Sequence, residues 1–281
     1  MSNFKGQRVL ITGAAKGIGR HLAKEIGAAG GELILTDIDD DALSDTAVEI
    51  RSLGVTVHTR RVDVADRKEV EEMAAWVEKD LGGLDILVNN AGLGHSGDLG
   101  NTSIETWEKL LAVNFWGPLY HIHAFLPNMK QRRSGQIVNV SSGQAFWRIP
   151  SWGAYAIIKL ALGVLSEMLH FELRRHKVVV TTVYPFMVNT GFYGDIAPKS
   201  RAGRLSVKLV PYYSMTPEKV ARVIFRAIRN KARIERVTVI NSMGLLLRAM
   251  PPVSNAITTG AAFLMADRDE QTPSSEERPA A

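Results

Sequence analysis

The sequence predicts an α/β protein: a doubly wound, about seven-stranded parallel sheet with helices on both faces. Short β-branched runs alternate with amphipathic stretches of helical length, the signature of strand–helix–strand crossovers. No repeat or composition break divides the chain, and 281 residues at 46% apolar content can bury one large core. Strands are expected over 8–12, 32–36, 55–62, 84–89, 136–141 and 178–184, with a seventh at 237–240. Helices are expected over 18–29, 41–53, 68–81, 104–132 (broken near Gly117-Pro118), 155–176 and 217–231. Residues 1–267 form one expected domain, and the polar, Pro/Ser/Glu-rich run 268–281 reads as a disordered tail.

Cysteine is absent, so disulfide frameworks and thiolate sites are excluded and no metal centre is expected. The first residues lack the apolar run of a signal peptide, and no stretch reaches ~18 uninterrupted apolar residues. A soluble cytoplasmic protein is expected, or one peripheral to a membrane surface. The net charge is +5, and Lys199 to Arg236 holds eleven Lys/Arg against Glu218 and Glu235, a local +9. A solvated basic face is the plain reading, and attraction to an anionic membrane is the second. No nucleic-acid partner is expected, because no binding motif accompanies the charge.

The first expected strand runs into Gly13-Ala14-Ala15-Lys16-Gly17-Ile18-Gly19 and then a helix. Glycines let the backbone turn tightly and approach a pyrophosphate, which the helix N-terminus attracts. This strand–loop–helix context is that of a dinucleotide site in a Rossmann-type fold. Asp37 ends the second strand 18 residues after Gly19, where a carboxylate accepts hydrogen bonds from ribose hydroxyls and repels a 2′-phosphate. Lys16 argues the other way. The carboxylate is expected to dominate, which favours NAD over NADP.

Tyr155 and Lys159 are four apart at the start of a helix and share one face. A free phenol, with a pKa near ~10, is a poor base at neutral pH, and a neighbouring ammonium stabilises its anion. Ser142, 13 residues before Tyr155 at a strand end, can hold a substrate oxygen while the phenol moves the proton. Ser142, Asn89 and Gly13 all fall beyond carboxyl ends of strands, where open α/β sheets bind ligands. Ser141 is the alternative hydroxyl.

At this point the chain resembles the short-chain dehydrogenase/reductase family. The motifs, in order, are Thr12-Gly13-x-x-x-Gly17-Ile18-Gly19, Asp63-Val64, Asn89-Asn90-Ala91-Gly92, Asn114, Ser141-Ser142, Tyr155-x-x-x-Lys159 and Pro185. The resemblance implies a catalytic set of Ser142, Tyr155 and Lys159, with Asn114 holding a water in a proton relay. It implies that Asp63 and Val64 flank the adenine and that Lys159 also binds the nicotinamide ribose. Asn90, Ala91 and Gly92 would close the cofactor pocket, and Val188 and Thr190, after Pro185, match positions that bind the carboxamide. Plainer roles stay open: Asn89 and Asn90 as caps of a strand end, Asn114 as the holder of a kink. Family members are usually homodimers or homotetramers.

Where the family commonly has a glycine after the proline, this chain has Phe186 and Met187. That run is similar to the branch acting on hydroxysteroids, retinol and other lipophilic alcohols. Phe146, Trp147, Ile149, Trp152, Phe186, Phe192 and Tyr193, with Gln144 as a polar group, would line the pocket. Core packing or a subunit interface is the rival role for such residues. A lipophilic alcohol and its ketone or aldehyde are the expected substrates, with NADP-dependent carbonyl reduction as the alternative. Residues 243–265 are apolar but interrupted by Arg248, Pro251, Pro252 and Asn255. They would cap the pocket, contact another subunit or lie on a membrane, in that order. Two other classes stay open: an NAD(H) sensor without turnover, and a scaffold acting at a lipid surface.

Overall fold

The computed structural model describes residues 4–147, 149–189 and 214–265. Thr190, Phe192, Tyr193, most of the basic stretch's first half and the 268–281 tail lie outside the described residues. Seven parallel strands form one sheet: β1 (Arg8–Thr12), β2 (Glu32–Asp37), β3 (Val57–Arg61), β4 (Ile86–Asn89), β5 (Gly135–Val140), β6 (Val178–Tyr184) and β7 (Ile234–Arg236). Their order is β3-β2-β1-β4-β5-β6-β7.

Helices cover both faces: α1 (Gly17–Ala28), α2 (Asp40–Arg51), α3 (Arg67–Asp80), α4 (Ile104–Leu111), α5 (Gly117–Arg132), α6 (Gly153–Leu173) and α7 (Pro217–Arg229). Side chains alternate across a strand, so Val9 and Ile11 join Leu22, Ile26, Ile50 and Ile224 in one core. Leu10 points the other way, into a core with Val70, Met73, Ile122 and Phe125. Strands buried on both faces read as near-continuous β-branched and apolar runs, which is why β1 and β6 are legible to the residue. Asp39, Asp66, Ser103 and Thr216 cap α2, α3, α4 and α7 through side-chain bonds to backbone N–H groups.

The chain builds outward from β1 to β3, then returns to place β4 on the other side of β1. This reversal opens a crevice beyond the carboxyl ends of β1 and β4, where ligands of such sheets sit.

Two expectations need correction. The seventh strand is Ile234–Arg236, and residues 237–240 lead into a further helix, α8 (Val239–Arg248). Pairing stops because β6 ends at Tyr184, whose partner is Arg236, and Pro185 cannot extend the ladder. The interruption expected near Gly117-Pro118 in the 104–132 helix lies just before those residues but is not a full break. The helix passes through a π-helical turn, Ala112–Trp116, and continues as α5 with Pro118 in its first turn.

A last helix, α9 (Pro251–Met265), follows α8. The stretch Gly153–His176 is long and apolar enough to cross a membrane. Its helix nevertheless packs on the sheet and carries buried Tyr155 and Lys159, the behaviour of a core helix.

Candidate active site

The glycine loop after β1 is held from two sides. Gly13 has φ +66°, and a Cβ there would lie 2.8 Å from Ala91 Cα. A Cβ on Gly19 would strike the Gly13 carbonyl oxygen. Side chains at either position would therefore push the loop out of shape. Thr12 Oγ1 accepts the backbone N–H groups of Asn90 and Ala91, both at 3.0 Å. Asn90 Nδ2 donates to the carbonyls of Thr12 and Gly13, also at 3.0 Å. The Asn90 side chain thus pins the loop from β4, and Thr12 completes the pin. Its role was not legible because pairing across a crossover leaves no local spacing signal.

Gly17 and Ile18 open α1, whose N-terminus faces this loop. At the end of β2, Asp37 Oδ2 accepts from Ala15 N at 3.0 Å, and Oδ1 accepts from Ile38 N at 2.8 Å. The carboxylate is thus positioned at the loop's edge, beside the expected ribose. Lys16 Nζ pairs with Asp39 Oδ2 at 2.6 Å on the surface, and Lys16 holds the Asp39 carboxyl below its ordinary pKa. Asp63 and Val64 follow β3: Asp63 Oδ1 accepts from Ala65 N at 2.9 Å, and Val64 is buried.

The second half of the site gathers at the ends of β4 and β5. Ser141 Oγ donates to the Lys159 carbonyl at 2.7 Å, which turns this hydroxyl into α6. Ser142 Oγ accepts from Gln144 N at 3.2 Å in the short turn after β5, and can still donate its own proton. Lys159 Nζ donates to the Val140 carbonyl at 3.1 Å and lies 5.8 Å from the Tyr155 ring centroid. Burial pulls the Lys159 pKa down to about 8. A Cβ on Gly92 would meet this ammonium at 3.3 Å and Asn114 Oδ1 at 2.8 Å. Gly92 thus keeps open the space between β4 and the lysine.

Asn114 is fully buried in the π-helical turn, and Nδ2 donates to the carbonyls of Leu93 and Leu110. Its Oδ1 accepts from Leu93 N at 3.2 Å. The amide ties the helix to the loop after Gly92, so any relay water would find both its N–H donors occupied. π-Helical turns concentrate at functional sites.

The proposed pocket edge is assembled in part. Trp147 stacks obliquely on Phe186 at 6.4 Å, and Trp152 meets Tyr155 edge-on at 6.2 Å. Gln144 is buried, and its Oε1 has no hydrogen-bond partner among the described residues. Phe146 instead packs on Tyr184 at 4.6 Å, as core. Pro185 O accepts from Gly143 N at 2.6 Å, and buried Val188 bridges to Met215. Sequence reasoning missed Asn241 of α8, which donates to the Tyr184 carbonyl. No motif marks it, and it directly follows the run 237–240 that reads as strand.

A glycine cradle that tolerates no Cβ, a carboxylate at the ribose edge and a buried lysine by a phenol fit a nicotinamide dinucleotide. The family model described as short chain dehydrogenase matches residues 7–201. The chain belongs to that family, whose members are NAD(P)-dependent oxidoreductases. It is similar to "Probable oxidoreductase EphD" of Mycobacterium tuberculosis, 35% identical over 245 residues, covering 83% of this chain. The chain spans about two fifths, 41%, of that relative's length. A short chain dehydrogenase/reductase from Burkholderia phymatum, solved with NAD, superposes with a TM-score of 0.82 at 27% identity, covering 89% of this chain and 95% of that one. A metagenomic short-chain oxidoreductase solved with NADP gives 0.70 at 27% identity, covering 84% and 96%.

Proposed function

We propose that the chain interconverts a lipophilic alcohol and its ketone or aldehyde with NAD, using Tyr155 as the acid/base. One observation carries this reading. The Lys159 ammonium is buried between the end of β5 and Gly92, 5.8 Å from the Tyr155 ring. In the oxidative direction the Tyr155 phenolate takes the hydroxyl proton of the alcohol, and Ser142 Oγ holds the same oxygen by a hydrogen bond. Lys159 stabilises the phenolate through its charge. The nicotinamide supplies the hydride acceptor when bound. In reduction the protonated Tyr155 returns the proton to the carbonyl oxygen. Asn114 keeps the π-helical turn against the loop after Gly92 and so holds the lysine's surroundings in place.

The NAD preference rests on Asp37, whose charge opposes a 2′-phosphate, and on Lys16 being paired with Asp39. Asp63 and Val64 are assigned to the adenine edge, and Val188, with Thr190, to the carboxamide. Trp152 packs edge-on against Tyr155, and Trp147 with Phe186 form a second apolar pair in the turn region after β5 and β6; together they are assigned to the kind of wall that steroid-, retinoid- or fatty-alcohol-like substrates need. A homo-oligomer is assigned on the outer face of α6, where Ile157, Val164, Met168 and Phe171 are half exposed. The reading is tested by NADH formation across lipophilic alcohols and polyols, with Tyr155→Phe as control. Turnover of a lipophilic alcohol that falls by about 10² or more in the variant supports it. Faster turnover of polyols, or full activity in Tyr155→Phe, overturns it.

A further inference from the structure

The last two helices are apolar on the side that faces away from the protein. On α8, buried Asn241 and Gly244 face inward, against Gly143 and the Trp147 indole. On the opposite side Met243 and Leu246, three apart, stand in solvent, Leu246 at 65% exposure. On α9, Ser254 and Thr258, four apart, are the partly covered positions, whereas Val253 is about half exposed on the outer side and Ile257, about half exposed, lies at the rim of the inner side. Met250, at the junction, is exposed as well. A surface helix in water places its apolar stripe on the protein and its hydroxyls outside. This pair instead leaves Met243, Leu245, Leu246, Met250 and Val253 in solvent, with Asn255 and Thr259 also exposed, a clustering of exposed apolar side chains along one short segment.

The charge pattern indicates what covers the patch. From Val237 to Ala266 the chain holds one charged residue, Arg248, and no carboxylate. The segment preceding it, Lys199 to Arg236, carries eleven Lys/Arg against two Glu. An uncharged apolar face attached to a cationic chain suits an anionic lipid surface, where apolar burial and electrostatic attraction add. The inner side of the pair completes the picture. Phe146, Trp147, Gly244, Leu247, Ser254 and Thr258 are among the residues lining a cleft of about 70 Å³, which shares Trp147 with the proposed substrate wall.

We infer that α8 and α9 form an interfacial platform, whose outer face rests on an anionic membrane and whose inner face borders the substrate cleft. The part concerning the substrate cleft rests on the proposed reaction, whereas the membrane contact does not, since its readout is binding alone. The test is flotation of the full chain with vesicles of phosphatidylcholine plus phosphatidylglycerol, and with phosphatidylcholine alone. Native protein should float with the anionic vesicles and much less with the neutral ones. The Leu246→Glu/Val253→Glu variant, folded by circular dichroism, should bind about tenfold less. Cofactor binding in solution, followed by tryptophan fluorescence, should be unchanged in the variant.

Native protein left at the bottom of the gradient would overturn the inference, as would equal flotation of the variant. If the variant instead halves the native mass in sedimentation and neither protein floats, a second copy covers the face and the membrane reading is wrong.

Discussion

Replacing Lys159 with methionine removes a buried cation at nearly constant volume, so its effect reports on charge more than on shape. With the ring centroid taken as the centre of the phenolate charge, unit charges 5.8 Å apart interact by about 3 kcal/mol at an effective dielectric of about 20. That energy corresponds to a rate factor of about 10². Burial has lowered the Lys159 pKa from 10.5 to about 8, so at pH 7 most molecules hold the charge.

Above pH 8 the charge is lost, and with it the support for the phenolate. Native kcat/KM for alcohol oxidation should therefore bend downward above about pH 8. The variant should be slower by about 10² at neutral pH and should lack that bend. Stability provides an independent check. A lysine whose folded pKa is depressed disfavours the native state wherever the ammonium stays charged in the unfolded chain. This penalty is complete below about pH 8 and disappears as pH rises to the ordinary 10.5. Native protein should thus gain stability relative to the variant across that interval. Initial rates of NADH formation and thermal melts from about pH 6 to about pH 10 measure both effects. A variant within about threefold of native, or one keeping the bend, would refute the electrostatic role of Lys159.

Ser142→Ala should lower kcat/KM by about 10², because its hydroxyl is the one proposed to hold the reacting oxygen, and the variant also gives up the bond from Gln144 N. Ser141→Ala should instead lower Tm through loss of a buried bond to the Lys159 carbonyl, worth about 1 kcal/mol; the reverse assignment of losses would exchange the two roles. Asp37→Asn keeps an acceptor for Ala15 N but removes the charge, and should raise the NADP/NAD ratio of kcat/KM by about tenfold or more. Native enzyme that already prefers NADP would defeat that reading. Phe171→Glu places a carboxylate in the exposed apolar face of α6 and should yield a smaller species in sedimentation; an unchanged mass would move the oligomer contact elsewhere.

What the sequence by itself determined was whatever depends on neighbours along the chain. β1 and β6 are legible to the residue because buried parallel strands are near-continuous β-branched and apolar runs between turns. The glycine loop was legible because a strand, a tight turn and a helix N-terminus must follow one another directly. Tyr155 and Lys159 were legible because four residues make about one helical turn.

The tertiary structure decided what depends on partners far along the chain. It turned Ser141 into α6, which spacing along the chain could not show, while Ser142 is the hydroxyl that the spacing of 13 to Tyr155 already favoured. It made Asn90 the pin of a loop 77 residues away. It ended the sheet at Arg236, because β6 stops at Tyr184 and a strand needs a partner. The β-branched run 237–240 could therefore not remain extended, since an apolar residue fits helix or strand equally and only the neighbouring backbone chooses between them.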